Sequence, residues 1–181
     1  MPSLRRAWPG VVAFVVSLAA GFASAQATTL RAPNVVEISP LLVTSGQPSA
    51  AGLASLAALG FEAVVYLAPP NVMDAVKDEA MIVGRQGLVY VNIPIDFERP
   101  AGRDFETFAG VLRGLAGRKV LVHCQVNMRA STMVFLYRTI IAKEDPRIAY
   151  DSVIKTWVPD VPWKRLIQEQ LRVHKIDFEP F

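Results

Sequence analysis

The chain has 181 residues, of which 52% are hydrophobic, 19 are Lys or Arg and 16 are Asp or Glu. This composition is typical of a single globular domain with enough chain for a sizeable core. The small positive excess gives no support to nucleic-acid binding, and a single cysteine excludes an internal disulfide.

The first 25 residues have the pattern of a secretory signal peptide. Arg5 and Arg6 form its positive region, 11–22 its apolar region, and Ala23-Ser24-Ala25 a small-residue cleavage site. We therefore expect cleavage after Ala25, a single domain over 26–181, a periplasmic or secreted location, and no stable membrane insertion after cleavage. An uncleaved anchor is the alternative, although the apolar run is shorter than the roughly 20 residues of a membrane span.

Strand and helix patterns alternate along the remaining chain. Strands are predicted at 34–39, 41–44, 61–68, 88–93 and 120–122. Helices are predicted at 50–59 with Ser49 as N-cap, 74–86, 102–115, 130–141, 146–158 and 162–174. The helix at 74–86 is expected to bury Ala75, Val76, Ala80, Met81 and Val83. The alternation predicts an α/β fold with a central, mostly parallel mixed sheet flanked by helices.

The only cysteine lies in the loop between the predicted strand at 120–122 and the helix that follows it. His123 precedes Cys124, and Gln125, Val126, Asn127 and Met128 separate it from Arg129. A helix N-terminus presents unpaired N–H groups and positive charge, which favour a bound anion and the thiolate form of a cysteine. The Arg129 fork matches two oxygens of a phosphate or sulfate. The loop therefore predicts an anion site with a nucleophile.

A simple core cysteine is the alternative interpretation. Against it, the polar side chains of His123, Asn127 and Arg129 would be costly to bury without a purpose.

A second polar loop follows the strand at 88–93. If the strands are parallel, Asp96 emerges on the same rim of the sheet as Cys124. A carboxylic acid there could protonate a leaving oxygen, with Glu98 as a rival acid in the same loop. The alternative is a solvated turn residue.

An aromatic segment from Trp157 to Trp163 surrounds two prolines. It favours a core plug that fixes a helix turn. The alternative is a wall of the active-site cleft, with Asp160 as a substitute acid.

Three stretches together resemble the cysteine-dependent protein tyrosine and dual-specificity phosphatases. The loop from Val120 to Arg129 resembles their signature loop, Val91 to Asp96 their general-acid loop, and Leu42 to Pro48 their opening strand. The resemblance covers 35–171. It is closest to the bacterial phosphatase-like domain that is also found joined to β-lactamase-like hydrolases.

The resemblance implies a phosphatase that acts on phosphate monoesters and needs no metal or cofactor. Cys124 would be the nucleophile, Asp96 the acid and later the base, and His123 a brace for the loop. The backbone N–H groups of Gln125, Val126, Asn127, Met128 and Arg129 would hold the phosphate together with the Arg129 guanidinium. Ser131 would help the thiolate to leave. The substrate would be a phosphorylated protein or a small phosphorylated molecule; the sequence does not decide the oligomeric state.

The loop departs from the phosphatase pattern in its length. Four residues separate Cys124 from Arg129, where these phosphatases have five, and the shorter loop resembles the rhodanese sulfurtransferases. The usual loop glycines are absent, so Asn127 is expected to take any left-handed position. Ala130 replaces the expected hydroxyl residue. The alternatives are therefore a sulfurtransferase with a persulfide on Cys124, and an inactive oxyanion-binding module.

Overall fold

The computed structural model describes residues 29–181. The predicted signal peptide and its cleavage site lie outside these residues.

Five strands form one sheet in the order β1-β2-β5-β3-β4. They are β1 Val36–Ser39, β2 Leu42–Ser45, β3 Ala63–Tyr66, β4 Val89–Asn92 and β5 Val120–His123. The β1–β2 pair is antiparallel and the other pairs are parallel. The predicted α/β fold with a mostly parallel mixed sheet is confirmed, and β5 lies at the centre of the sheet.

Six α-helices connect and cover the strands of the described chain. They are α1 Ala50–Leu53, α2 Glu79–Gly84, α3 Gly102–Gly114, α4 Met128–Leu136, α5 Pro146–Ile154 and α6 Val161–Val173. A π-helical segment, Tyr137–Ile141, continues α4. Within residues 29–181, no helix is both long enough and apolar enough to cross a membrane.

The two faces of the sheet carry separate cores because successive strand residues point to opposite sides. Val120 and Val122 of β5 belong to the larger core, which contains residues of α3 to α6. Leu121 belongs to a smaller core with Leu53 and Val83 of α1 and α2. By the same alternation, His123 points towards the α2 side of the sheet and Cys124 towards the larger core.

The helix predicted at 50–59 is shorter in the structure. Ser49 caps α1 as predicted, through a hydrogen bond from Gly52 N–H, but α1 ends at Leu53. The Leu53 carbonyl accepts a hydrogen bond from the Gln86 side chain, and the Ser55 hydroxyl donates to the Gly52 carbonyl. These side-chain bonds satisfy backbone groups that a longer helix would have used.

The helix predicted at 74–86 is also wrong in its first turn, and of the predicted buried residues that lie in α2 only Val83 is buried. Asp78 has a left-handed backbone, so α2 begins only at Glu79. Glu79 and Val83, four residues apart, are the buried positions, whereas Met81 is 52% exposed. The buried face of α2 therefore contains a carboxylate that an apolar pattern could not reveal.

Candidate active site

The predicted strand, loop and helix around Cys124 are present in the structure. β5 ends at His123, the loop runs from Cys124 to Asn127, and α4 begins at Met128. The apolar, β-branched residues of β5 fill the sheet interior, so the chain reaches the carboxyl rim of the sheet at the cysteine.

The neighbouring strand β2 and the segment before β1 hold the loop from outside. Cys124 N–H donates to the Ser45 carbonyl at 3.3 Å, and Gln47 N–H donates to the Gln125 carbonyl at 2.9 Å. The Asn34 side chain donates to the Val126 carbonyl at 3.0 Å. The loop carbonyls thus bond outwards, away from the space that the loop encloses.

The loop keeps donors for a ligand. Among the described residues, no oxygen accepts a hydrogen bond from the N–H groups of Gln125, Val126, Met128 or Arg129. Orphan N–H groups at the start of α4, together with its dipole, form a site for an anion.

Asn127 gives the loop its shape. Its φ of 73° confirms the predicted left-handed conformation, and its buried side-chain amide donates to the Asn34 carbonyl at 2.7 Å and to Thr44 Oγ1 at 3.0 Å. Asparagine tolerates this backbone region better than most residues. It therefore replaces the glycine that such a turn would otherwise need.

Arg129 lies inside the site and is only 5% exposed. Its Nε donates to the Ile95 carbonyl at 3.0 Å, and its Nη1 is 3.4 Å from Gln125 Oε1. The guanidinium carbon lies 4.9 Å from the centre of the Phe97 ring. Arg129 thus links the loop at 124–127 (the Cys loop) to the loop at 94–100 (the acid loop), and the weak contact with Gln125 leaves its outer N–H groups available for an anion.

Asp96 lies in the acid loop, but its exposed carboxylate faces Arg99. Asp96 Oδ2 is 2.8 Å from Arg99 Nη2, and Oδ1 accepts from Glu98 N–H at 3.0 Å. The hydrogen bond from Arg99 is the main reason that the pKa of Asp96 is below its usual value; the Glu98 N–H and the Arg99 and Arg129 charges add to it. Asp96 is therefore an ionised carboxylate in this arrangement, and would have to leave Arg99 to act as an acid.

The predicted aromatic segment holds the acid loop from behind. Trp163 is fully buried, and its indole N–H donates to the Phe97 carbonyl at 2.9 Å. The Phe97 ring contacts both Trp157 and Trp163, at centroid distances of 5.8 Å and 5.6 Å. The segment is thus a core element that also supports the site, while Asp160 lies exposed at the start of α6.

His123 is fully buried and bonds to a residue that the sequence did not reveal. Its Nε2 lies 2.7 Å from Glu79 Oε1, and its ring stacks on Tyr66 at 4.7 Å. The other oxygen of Glu79 accepts from Gln47 Nε2 at 2.8 Å. Glutamate at the start of a helix usually faces water, so no local sequence signal marks Glu79.

Asp74 is a second residue that the sequence did not reveal. The Gln125 Nε2 lies 3.4 Å from Asp74 Oδ2, which places this exposed carboxylate on the rim of the Cys loop. The predicted helix at 74–86 had assigned Asp74 to a helix start, where acidic residues are common.

Ser131 is fully buried in α4, and its hydroxyl donates to the Met128 carbonyl at 3.2 Å. Its predicted help to the leaving thiolate stays a prediction. Cys124 is itself fully buried. No group of three or more His, Cys, Asp or Glu side chains in residues 29–181 is arranged to hold a metal ion.

The Cys loop thus carries a thiol and orphan N–H groups, and the Arg129 side chain joins it to the acid loop. The profile of one protein family, described as a DSP-PTPase phosphatase fused to NAD+ kinase, matches residues 21–157. The chain belongs to this family. The family has the fold of the cysteine-dependent dual-specificity and protein tyrosine phosphatases, which confirms the predicted resemblance; it does not favour the sulfurtransferase alternative.

Solved structures agree with this family assignment. A DUF442 protein from Shewanella putrefaciens CN-32 is 28% identical, with a TM-score of 0.73 over 79% of this chain and 94% of that one. Tk-PTP in its active form is 22% identical, with a TM-score of 0.65 over 77% of this chain and 97% of that one.

P. aeruginosa TpbA in complex with pTyr is 19% identical, with a TM-score of 0.54 over 76% of this chain and 90% of that one. The latter two likenesses concern the fold alone. No curated protein matches the chain.

Proposed function

We propose that the protein is a cysteine-dependent phosphatase that hydrolyses phosphate monoesters through a thiophosphate intermediate on Cys124. The observation that carries the proposal is the position of Arg129. Its guanidinium is bonded to the acid loop at the Ile95 carbonyl, one residue before Asp96, while its backbone belongs to the helix start beside Cys124. This contact supports a site in which the nucleophile, the anion clamp and the acid loop share one rim of the sheet.

The first step would transfer the phosphoryl group to sulfur. The Cys124 thiolate attacks phosphorus while the orphan N–H groups and Arg129 bind the three non-bridging oxygens. The bond from phosphorus to the ester oxygen breaks, and Asp96 gives its proton to that oxygen, so the free alcohol leaves.

The second step would regenerate the enzyme. The Asp96 carboxylate takes a proton from water, the water oxygen attacks phosphorus, and the bond from phosphorus to sulfur breaks. Inorganic phosphate leaves, Cys124 is again a thiolate, and Asp96 is again protonated.

Substrate entry requires two small movements. Gln125 must leave its 3.4 Å contact with Arg129, and Asp96 must leave Arg99. The Gln125 contact is at the long limit of hydrogen bonding, and the Asp96 pair is exposed to solvent, so neither is expensive to break.

The substrate class follows from the phosphate site and not from a defined leaving-group pocket. Phosphotyrosine is a sensible first substrate because TpbA, which shares the fold, was solved with pTyr. The predicted export would direct the enzyme to phosphorylated proteins or small molecules of the periplasm or the exterior.

Steady-state hydrolysis of an aryl phosphate by the folded protein tests the proposal. We expect vanadate-sensitive turnover in the wild type and none in Cys124→Ser. Full activity in Cys124→Ser, or an inert wild type on both aryl phosphate and phosphotyrosine, would overturn it. Turnover of thiosulfate with cyanide by the same preparation would instead identify a sulfurtransferase.

Two further variants test the choice of acid. Asp96→Ala is expected to lower kcat by about 10² to 10⁴ for substrates with poor leaving groups. If Asp96→Ala is unaffected and Asp160→Ala or Asp74→Ala is crippled, the acid is one of these other aspartates and the nucleophile assignment stands.

A further inference from the structure

Glu79 is a charged residue in the interior, next to the Cys loop. It is 5% exposed, and both of its carboxylate oxygens are bonded, one to His123 Nε2 at 2.7 Å and the other to Gln47 Nε2 at 2.8 Å. Burial of an ionised carboxylate costs several kcal/mol unless close partners compensate for it. A buried carboxylate on the side of the sheet that carries the smaller core therefore requires a reason beyond packing.

The backbone before Glu79 is unusual as well. Asp78 has φ 60° and ψ 22°, a left-handed conformation that is uncommon outside glycine and that aspartate tolerates better than most residues. The turn at Asp78 sets the start of α2, so that its first residue, Glu79, reaches His123 at the end of the central strand.

His123 depends on Glu79 for its orientation. The imidazole is fully buried, and among the described residues its Nδ1 has no hydrogen-bond partner. The only polar bond of the ring is therefore the one from Nε2 to Glu79, with Tyr66 stacked on one face. This one contact therefore fixes which way the ring is turned.

Gln47 joins this pair to the Cys loop. Its side chain bonds to Glu79, and its backbone N–H donates to the Gln125 carbonyl, the residue after the nucleophile. His123 immediately precedes the nucleophile. Glu79 is thus connected to the residue before Cys124 directly, and to the residue after Cys124 through Gln47.

We propose that Glu79 is a positioning residue of the phosphatase centre, whose buried carboxylate fixes the His123 ring directly before Cys124 and, through Gln47, the loop that carries the nucleophile. The proposal rests on the proposed function, because it assigns Glu79 a part in preparing the same nucleophile.

Two opposing effects decide the sign of the shift. As a negative charge alone, Glu79 would disfavour the thiolate, so its removal would lower the midpoint of thiolate formation. As a positioning residue, it keeps His123 and the Cys loop in place, and the aligned N–H groups of that loop favour the thiolate, so its removal would raise the midpoint. The two roles therefore predict opposite shifts for one substitution.

Other titratable groups surround the network. Tyr66 and Tyr90 face Glu79 from β3 and β4, and burial, followed by the Glu79 charge, raises the pKa of Tyr66 to about 12. The same causes raise the pKa of Tyr90.

Both phenols therefore stay neutral over the working range. Lys77 and Asp78 line the same small cavity as Glu79, and Asp74 and Arg129 act on Tyr66 from the site side. All four stay present in every variant.

The test is the pH dependence of Cys124 alkylation by iodoacetamide in the full folded chain, without substrate. In Glu79→Gln we expect the midpoint of the alkylation profile to rise by about one to three pH units, which is at least tenfold slower labelling on the acid side. We also expect the acid limb of kcat to move with it while KM changes little. An unchanged or lowered midpoint would overturn the proposal.

Gln86→Ala is the matched control. Gln86 holds the other end of α2 through bonds to Ala57 N–H, the Leu53 carbonyl and the Ile82 carbonyl. Its removal loosens α2 without changing any charge, so the midpoint should stay at the wild-type value. If the midpoint rises as much in Gln86→Ala as in Glu79→Gln, the effect comes from the packing of α2 and the proposal is wrong.

If Glu79→Gln does not fold, Gln47→Leu takes its place. This variant removes one of the two bonds to the carboxylate and keeps the charge, so a smaller rise of the midpoint is expected, and no rise would contradict the proposal.

Alkylation also separates this inference from the proposed function. A wild type that labels normally but hydrolyses no phosphate ester would refute only the phosphatase.

Discussion

Replacement of Trp163 by phenylalanine tests whether the aromatic segment supports the acid loop. The substitution removes the 2.9 Å hydrogen bond to the Phe97 carbonyl, worth about 0.5–1.5 kcal/mol, and part of the tilted contact with Phe97, worth about as much. The expected loss of about 2 kcal/mol in the free energy of unfolding corresponds to a fall in Tm of about 4–8 °C. If ~1 kcal/mol of this loss comes from contacts that hold the acid loop next to Arg129, the conformation with the loop in place becomes about fivefold less populated.

The assay compares two substrates with different leaving groups. An alkyl phosphate needs a proton from the acid loop, whereas an aryl phosphate with an acidic phenol needs little help. Trp163→Phe should therefore lower kcat about fivefold for the alkyl ester and leave the aryl ester nearly unchanged.

Phe61→Leu, in the smaller core on the other side of the sheet, is the control for lost stability alone. If both variants leave the ratio of the two kcat values at the wild-type figure, the segment has no part in the reaction.

Three further substitutions address single contacts of the site. Arg99→Ala removes the main cause of the low pKa of Asp96, so this pKa should rise. Because a general acid must be protonated to act, the basic limb of the pH–rate profile should move to higher pH with it. An unmoved limb would mean that Asp96 is not the acid. Asn127→Ala loses two side-chain hydrogen bonds and puts at φ 73° a residue that tolerates the left-handed region less well than asparagine does, which should lower the free energy of unfolding by about 3 kcal/mol. Asn127→Gly should lose less, because it loses the bonds but tolerates this backbone conformation; equal losses would show that the backbone conformation carries no strain.

In the third, Arg129→Lys keeps the charge but not the fork that binds Ile95 and an anion together, and kcat should fall about 10² to 10³. A loss below about tenfold would contradict that role of Arg129.

The sheet and the Cys loop could be predicted from the sequence because their signals are local. A short β-branched run at Val120 to Val122, a polar loop and a helix pattern identify the strand end and the helix start without further information. The left-handed position of Asn127 was also predictable, since glycine is absent from the loop and asparagine is the next best residue for that backbone region.

The acid loop could be placed only in part. Parallel strands bring Asp96 to the rim of the sheet, as expected, but the turn that carries it also carries Arg99, three residues later. The Asp96 carboxylate could face either Arg99 or the candidate site. The conformation of the exposed loop decides between them, and no sequence periodicity encodes that conformation.

Glu79 could not be predicted because its partners come from distant positions. His123 and Gln47 are 44 and 32 residues away, and the apolar pattern at 74–86 suggested a helix that buries Met81 instead. A left-handed Asp78 resets the helix start, and with it the buried face. The turn conformation of 74–78 thus outweighs the helical preference of the segment.

The most direct test of the central claim is the mass of Cys124 after rapid acid quenching of the enzyme during turnover of an aryl phosphate. Asp96→Asn is the variant to use, because slow hydrolysis of the intermediate should allow it to accumulate. We expect one phosphoryl group on the peptide that contains Cys124, and none in Cys124→Ser. Steady turnover with no phosphoryl group on that peptide, or a single added sulfur atom after incubation with thiosulfate, would contradict the account.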